Sequence, residues 1–262
     1  MSLDDAYANA AYIPGAAGFP PRWKSAAQAF RADLGDRAET DRPYGDSDRQ
    51  VYDIFRPEDA PRGTLIFVHG GYWKAFDHSD WSHLARGALA HGWSVALPGY
   101  DLCPAVRISD ITRQIAAAVT EIAGTTEGPI ALAGHSAGGH LVARMLDPEV
   151  LPEEVRSRIA RVVPISPLSD LAPLMDTEMN ETLRIDAAEA EAESPVNMPA
   201  PEGVGVEVWV GSDERPAFLE QADLLAGAWN VPCVTVDRKH HFDVIEALED
   251  PEDRLVRFLC DG

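Results

Sequence analysis

Three short segments of the chain carry side chains that together could attack an acyl group. They are GHSAG (Gly134–Gly138), VGSDERPAF (residues 210–218) and KHHFD (Lys239–Asp243). The first supplies a serine, the second the adjacent acids Asp213 and Glu214, and the third the adjacent histidines His240 and His241. A serine hydroxyl is a weak nucleophile until a histidine removes its proton, and an acid must orient that histidine. The order serine, acid, histidine predicts a serine hydrolase with Ser136 as its nucleophile.

The surroundings of Ser136 strengthen this prediction. GHSAG matches GxSxG, in which a serine occupies a sharp turn between a strand and a helix. The string alone is modest evidence, but here it follows an apolar run, PIALA, and precedes a helical pattern, SAGGHLVARML. The turn exposes the serine hydroxyl and points the helix N-terminus at developing negative charge. The backbone N–H of Ala137 is therefore expected to contribute to an oxyanion hole.

A second glycine-rich segment, HGGYW (His69–Trp73), follows the apolar run LIFV. Backbone N–H groups approach a tetrahedral oxyanion to within about 3 Å only where no side chain intervenes. We therefore expect Gly70, Gly71 and Tyr72 to donate the remaining oxyanion-hole hydrogen bonds. Tyr72 and Trp73 would also suit the lining of an aromatic substrate pocket, although Trp73 could equally pack in the core. His69 is expected to hold this loop by hydrogen bonding rather than to act as a base.

The elements that must position these segments alternate along most of the chain. Buried strands are predicted at residues 64–71, 93–100, 129–134, 161–166, 206–211 and 232–237, with amphipathic helices between them. This alternation predicts an α/β fold, a mostly parallel central sheet with helices on both faces. In such sheets the chemistry lies at the carboxyl ends of the strands.

The predicted organisation is a single domain over residues 1–262 with two additions. Residues 1–48 form an N-terminal arm with a short helix around residues 25–34, and residues 49–57 form an edge strand after it. Residues 170–203 contain no strand pattern and interrupt the alternation. They predict a small cap inserted over the strand ends, since a structureless loop of that length is uncommon in a compact domain.

Composition excludes several classes of partner. The chain has 22 basic and 43 acidic residues, a net charge of −21, which disfavours nucleic acid and anionic membranes and suits a small-molecule substrate.

The lack of a 20-residue apolar run and the acidic N-terminus predict a cytoplasmic protein. Three well-separated cysteines indicate reduced thiols. No nucleotide motif is present and His78, His83 and His91 lack metal-ligand spacing, so no cofactor or metal is expected, and these histidines are predicted on the surface. Monomer and homodimer both remain open.

The segments HGGYW, GHSAGGHL and HHFDVI together resemble the kynurenine formamidase (arylformamidase) branch of the α/β-hydrolases. Further similar segments are YDLCP, SPLSDLAPL and PAFLEQ, so the resemblance runs from about residue 44 to 245. It implies His241, directly before Phe242, as the base and Glu214, three residues after Gly211, as the acid. Many members carry aspartate at that acid position, and Asp213 is the alternative.

The resemblance also implies an activity. The expected reaction is hydrolysis of an aryl formamide such as N-formyl-L-kynurenine through an acyl-serine intermediate. The alternative is a carboxylesterase acting on a small ester.

Overall fold

The apolar runs of the sequence form the strands of one central sheet. The computed structural model describes residues 3–261, and within them the sheet has nine strands. Their bounds are β1 Ala38–Pro43, β2 Val51–Phe55, β3 Thr64–Val68, β4 Ser94–Pro98, β5 Ile130–His135, β6 Ile159–Ile165, β7 Gly205–Val206, β8 Val208–Gly211 and β9 Cys233–Val236.

The strand order is β1-β2-β4-β3-β5-β6-β8-β9, with β7 also pairing with β6. Only the pairs β1–β2 and β2–β4 are antiparallel, and the other pairs are parallel. The sequence-based prediction of an α/β fold with a mostly parallel sheet is confirmed. Since β3, β5, β6, β8 and β9 run in one direction, their carboxyl ends meet at one edge of the sheet.

Helices cover both faces of this sheet, and further helices lie in the N-terminal arm and near the C-terminus. The α-helices are α1 Leu3–Ala6, α2 Asn9–Tyr12, α3 Phe19–Leu34, α4 Arg86–Ala90, α5 Ile108–Thr125, α6 Ala137–Arg144, α7 Glu153–Arg156, α8 Asn180–Leu183, α9 Ala187–Glu193, α10 Pro216–Trp229 and α11 Arg254–Cys260. Six 3₁₀ helices span Ala16–Gly18, Gly35–Arg37, His78–Ala85, Ala172–Asp176, Pro195–Asn197 and Val244–Glu249. Within residues 3–261, no helix is both long and apolar enough to cross a membrane.

Side chains alternate across the sheet into two hydrophobic clusters. Along β3, Ile66 and Val68 belong to one cluster, whereas Leu65 and Phe67 belong to the other. This is the period of two that a strand buried on both faces requires. The predicted apolar stripe of α5 packs into the first cluster through Ile108, Ile111, Ile115 and Ile122.

Two local predictions were wrong. The edge strand is β1, whereas β2, predicted as the edge, lies between β1 and β4 with four of its five residues buried. The sequence of β1, AETDRP, lacks the apolar residues that predict a buried strand. An edge strand can be polar because much of it remains exposed to solvent. In the arm, α3 begins at Phe19 rather than near residue 25. The prolines at 20 and 21 lie in its first turn, where a missing N–H costs nothing.

The segment predicted as a cap, residues 170–203, contains α8, α9 and two 3₁₀ helices and no strand. Ion pairs and hydrogen bonds fix it to the body of the protein. Glu193 accepts hydrogen bonds from the Thr112 hydroxyl at 2.7 Å and from Arg144 Nε at 3.2 Å. The His140 ring donates to the backbone oxygen of Glu193 at 2.8 Å. These contacts attach the segment to α5 and α6, directly behind Ser136.

The prediction that His78 and His83 are surface residues was wrong, since both are buried. Burial lowers the pKa of His83 to about 4, so this ring is neutral at pH 7. Burial also opposes the charge of His78, but its Nε2 lies 3.2 Å from Asp53 Oδ1 and its Nδ1 lies 3.0 Å from Asp77 Oδ1. These carboxylates outweigh burial and raise the pKa of His78 to about 9. Asp41, Asp53 and His78 also form a group of close ligand-type atoms, away from Ser136 in the sequence.

The protonated His78 predicts a pH-dependent stability. Its folded pKa of about 9 exceeds the ordinary 6.5, so its contribution is fully present below pH 6.5 and is lost as the pH rises through 9. We expect His78→Asn to lower the free energy of unfolding by about 3 kcal/mol more at pH 6 than at pH 10. Urea unfolding of both proteins at the two pH values measures this difference. An equal loss at both would show that His78 is not charged in the folded state.

Candidate active site

Ser136 lies at the turn between β5 and α6, at the carboxyl edge of the sheet. Its φ is +57° and its ψ −117°, a conformation that a non-glycine residue adopts only when its surroundings impose it. The surroundings here are two glycines. A Cβ on Gly134 would lie 2.1 Å from the Gly138 oxygen, and one on Gly138 would lie 2.0 Å from the Val68 oxygen. The strand and helix therefore approach so closely that the intervening residue must turn sharply outward.

The HGGYW loop lies directly against this turn. A Cβ on Gly70 would lie 2.7 Å from the His135 oxygen and 3.0 Å from Ser136 Cβ. Gly71 has a φ of +113°, and a Cβ there would lie 2.4 Å from the Ala75 oxygen. Glycine is thus required at both positions for the backbone to reach the serine. Ala137 is the first residue of α6, and its N–H is one of the N–H groups that a helix leaves without an internal partner.

His69 holds the loop from behind. Its Nδ1 lies 2.7 Å from the Gly70 oxygen, and its ring stacks on Tyr100 with centroids 4.3 Å apart. The Tyr100 hydroxyl donates to the backbone oxygen of His69 at 2.9 Å. Burial lowers the pKa of His69 to about 4, so the ring is neutral and its Nδ1–H can donate to the carbonyl. These bonds fix the loop without a charge near the serine.

The structure places Glu214, rather than Asp213, against the histidine. Glu214 Oε2 lies 2.6 Å from His241 Nδ1, and the Glu214 side chain has no exposed surface. The other oxygen, Oε1, accepts the Gly211 N–H at 2.9 Å and the Ser166 hydroxyl. Both carboxylate oxygens are therefore engaged. Asp213 is exposed and its side chain accepts a hydrogen bond from the Ser212 hydroxyl at 3.0 Å.

Ser166 was not identified from the sequence. It ends the β6 segment RVVPIS, and its hydroxyl donates to the carboxylate of Glu214. A strand-ending serine is too common to single out without knowing that β6 and β8 are neighbours. The only sequence signal is its position at the carboxyl end of a buried strand.

His241 is buried between two rings. Its ring centroid lies 4.3 Å from that of Phe218 and 4.5 Å from that of His135. The neighbouring His240 turns away, with its Nδ1 3.0 Å from Asp243 Oδ1 and its ring against Phe19. Of the two adjacent histidines, only His241 therefore faces the acid.

A cavity of about 770 Å³ opens at these residues. Its wall includes Ser136, His241, Gly70, Gly71 and Tyr72, together with the aromatic side chains Trp23, Phe76, Trp81 and Phe242. The N-terminal arm contributes Asp4 and residues 7–11, and the segment between β6 and β7 contributes Glu178, Met179 and Glu181. The cavity is thus apolar and aromatic inside, with charged groups from the two additions to the fold.

Trp73 requires a correction. It is fully buried in the core, where its ring meets that of His140 at a centroid distance of 5.0 Å, and it does not line the cavity. Tyr72 and Trp73 both have a positive φ, +51° and +53°. Tyr72 does line the cavity, and its hydroxyl donates to the backbone oxygen of Tyr7 at 2.7 Å.

His135, the variable position of the GHSAG segment, lines the cavity beside His241. Burial, and next the proximity of His241, hold its pKa well below the usual range. It is therefore a neutral ring next to His241. Sequence reasoning missed it because the variable position of GxSxG has no fixed direction until the turn is built.

Comparison with known proteins agrees with this architecture. Residues 65–199 match the family described by the α/β-hydrolase fold. The chain is 26% identical to the kynurenine formamidase of Danio rerio over 235 residues, covering 84% of this chain and 80% of the relative. It is 28% identical to that of Drosophila melanogaster over 239 residues, covering 82% and 78%.

Two solved structures are also similar. A Silicibacter sp. TM1040 protein, provisionally described as a thioesterase, is 61% identical over 99% of both chains with a TM-score of 0.97. An esterase from Pyrobaculum calidifontis is 17% identical, with a TM-score of 0.69, over 92% of this chain and 89% of the other. The chain belongs to the α/β-hydrolase fold family and is a hydrolase. Within that family it is similar to kynurenine formamidases.

The hydrogen bond from His241 to Glu214 predicts different effects for the two adjacent acids. We expect Glu214→Gln to reduce kcat by about 10³–10⁴-fold, because the amide no longer holds the correct histidine tautomer or stabilises its charge. Asp213→Asn, the matched control, should change kcat by less than roughly twofold because the side chain is exposed. Hydrolysis of p-nitrophenyl acetate by both folded variants provides the measurement. A large loss in Asp213→Asn with full activity in Glu214→Gln would contradict the assignment.

Proposed function

We propose that the chain is a serine hydrolase that cleaves the C–N bond of aryl formamides such as N-formyl-L-kynurenine. The observation that carries the proposal is the arrangement of Ser136 at the strained turn, the His241–Glu214 hydrogen bond of 2.6 Å and the aromatic cavity over both. The similarity to kynurenine formamidases over most of the chain supports the substrate class.

The proposed reaction has two steps. The Ser136 hydroxyl oxygen attacks the formyl carbon while His241 accepts its proton, and the N–H groups of Gly70, Gly71 and Ala137, with Tyr72 as a further donor, stabilise the oxyanion. The C–N bond then breaks, and His241 returns the proton to the departing aryl amine. Water, deprotonated by His241, attacks the formyl-serine ester, and formate leaves as Ser136 recovers its proton.

In this reaction Glu214 orients the His241 ring through Nδ1 and stabilises the positive charge that forms when the ring takes the serine proton. Its second oxygen is held by Gly211 N–H and the Ser166 hydroxyl, so the carboxylate cannot rotate away. His135 stays neutral, which avoids a second positive charge beside the imidazolium. The positive charge that forms on His241 therefore faces the carboxylate of Glu214 and no second positive ring.

A carboxylesterase acting on a small ester is the alternative. An ester presents the same carbonyl to Ser136, and the alcohol is an easier leaving group than an amine. The charges at the cavity oppose a polyanionic substrate, because Asp4, Glu178 and Glu181 outnumber Lys74.

The cytoplasmic location derived from the sequence stays a prediction.

The substrate proposal predicts rapid release of formate. We expect a kcat/KM above about 10⁴ M⁻¹s⁻¹ for N-formyl-L-kynurenine, and a loss of about 10⁴-fold or more in Ser136→Ala. Formate is quantified alongside hydrolysis of p-nitrophenyl acetate and of an uncharged acetyl thioester. Turnover of the esters without the formamide would reject the formamidase and leave the esterase. Activity that survives Ser136→Ala would reject the proposed nucleophile.

A further inference from the structure

One buried polar side chain on the cavity wall takes no part in the reaction just described. Asn9, the first residue of α2, is 6% exposed and lines the cavity. Neither its amide nitrogen nor its amide oxygen has a hydrogen-bond partner within residues 3–261. Leaving a buried polar group unpaired is unfavourable, so the amide is suited to a partner that enters the cavity.

Asn9 is not needed to build the arm. The residue before α2, Ala8, provides no side-chain cap, and the Asn9 amide forms no bond to the helix. Other contacts hold the arm over the cavity. The Tyr72 hydroxyl donates to the Tyr7 backbone oxygen at 2.7 Å, and the Gln221 amide donates to the Tyr7 hydroxyl at 3.0 Å. The arm is thus fixed on either side of Tyr7 while the Asn9 amide remains available.

Asn9 and the reacting residues come from different elements of the fold. Ser136, His241, Gly70 and Gly71 come from the strand ends, whereas Asn9 comes from the arm that covers them. The scissile carbonyl is accounted for by the backbone N–H groups at the strand ends. Asn9 is therefore available to a different polar group of the same substrate.

The chemistry of that group follows from the amide and from its neighbours. A primary amide offers two donor hydrogens and an acceptor oxygen on one plane. The cavity wall carries the acids Asp4, Glu178 and Glu181, with Asp4 Oδ1 accepting the Glu178 N–H. Lys74 is the one lysine or arginine among the described lining residues. This charge balance favours a group with a positive end and disfavours a purely anionic one.

We propose that Asn9 is a specificity-determining residue that binds a polar group on the leaving part of the substrate. The group carries a hydrogen-bond donor and an acceptor together, as a zwitterionic amino-acid head does. The inference rests on the proposed hydrolysis at Ser136. It assigns to the arm the discrimination between substituted and plain aryl substrates.

The test compares two aryl acetates that differ only in the polar tail, O-acetyl-L-tyrosine and phenyl acetate. Leucine has the same number and branching of side-chain heavy atoms as asparagine and no polar atoms. We expect Asn9→Leu to raise the KM for O-acetyl-L-tyrosine about tenfold with little change in kcat, while kcat/KM for phenyl acetate stays within roughly twofold. The control Asn197→Leu removes an exposed amide that bonds the Glu191 oxygen and should alter neither ester.

Two outcomes would overturn the inference. An equal loss for both esters would show that Asn9 supports the arm rather than the substrate. Unchanged kinetics for both would show that its amide has no substrate partner. Failure of the proposed function is a separate result, since it appears as ester hydrolysis that persists in Ser136→Ala.

A binding measurement keeps the inference testable without turnover. In the Ser136→Ala protein, calorimetry with L-kynurenine, the amine product, measures affinity for a ligand that has the zwitterionic head. We expect the additional Asn9→Leu change to weaken the Kd about tenfold. An unchanged Kd would reject the role of Asn9, whether or not formamides are substrates.

Discussion

The close approach of three backbone segments around Ser136 is the constraint on which the rest of the site depends. The absence of side chains at Gly134 and Gly138 lets β5, the start of α6 and the end of β3 meet at distances that no Cβ could tolerate. This contact forces the positive φ of Ser136 and raises its side chain above the sheet edge. It also sets Gly70 against the serine. Ser136 and the expected oxyanion donors are thus positioned by the same backbone packing, before any polar interaction is considered.

The polar interactions then fix what the packing has brought together. Each oxygen of Glu214 is bound, one by His241 and the other by the Gly211 N–H and the Ser166 hydroxyl, so the carboxylate links the ends of β6 and β8 to the loop after β9. Burial of the Glu214 side chain keeps water from competing for these bonds. Glu214 is the carboxylate that faces the His241 ring. The nearby rings of His69 and His135 are neutral because burial lowers their pKa values. The contacts of Glu214 therefore depend on the strand order, which places the ends of β6, β8 and β9 side by side.

The sequence predicted the sheet and the segments around the site because each has a strong local signal. Short apolar runs such as residues 64–68 and 130–133, each followed by glycines, favour buried strands, and HGGYW and GHSAG follow these two runs. The choice between Asp213 and Glu214 did not follow from residue chemistry, since a one-residue change in the turn exchanges their directions. The edge strand β1 was missed because its charged residues hide its pairing with β2. The burial of His78 was missed because its partner Asp53 lies on β2, and the pairing of the two residues is not visible in the sequence. Trp73 was ambiguous because a large aromatic residue after HGG suits both the core and a pocket wall, and only the structure shows it buried in the core.

The central claim is that Ser136 is a nucleophile activated by His241, and covalent labelling with a fluorophosphonate tests it most directly. The account predicts one adduct per chain, located at Ser136 by peptide mass spectrometry, and a labelling rate that falls by several orders of magnitude in folded His241→Ala. A protein that remains unlabelled, or an adduct on any other residue, would contradict it.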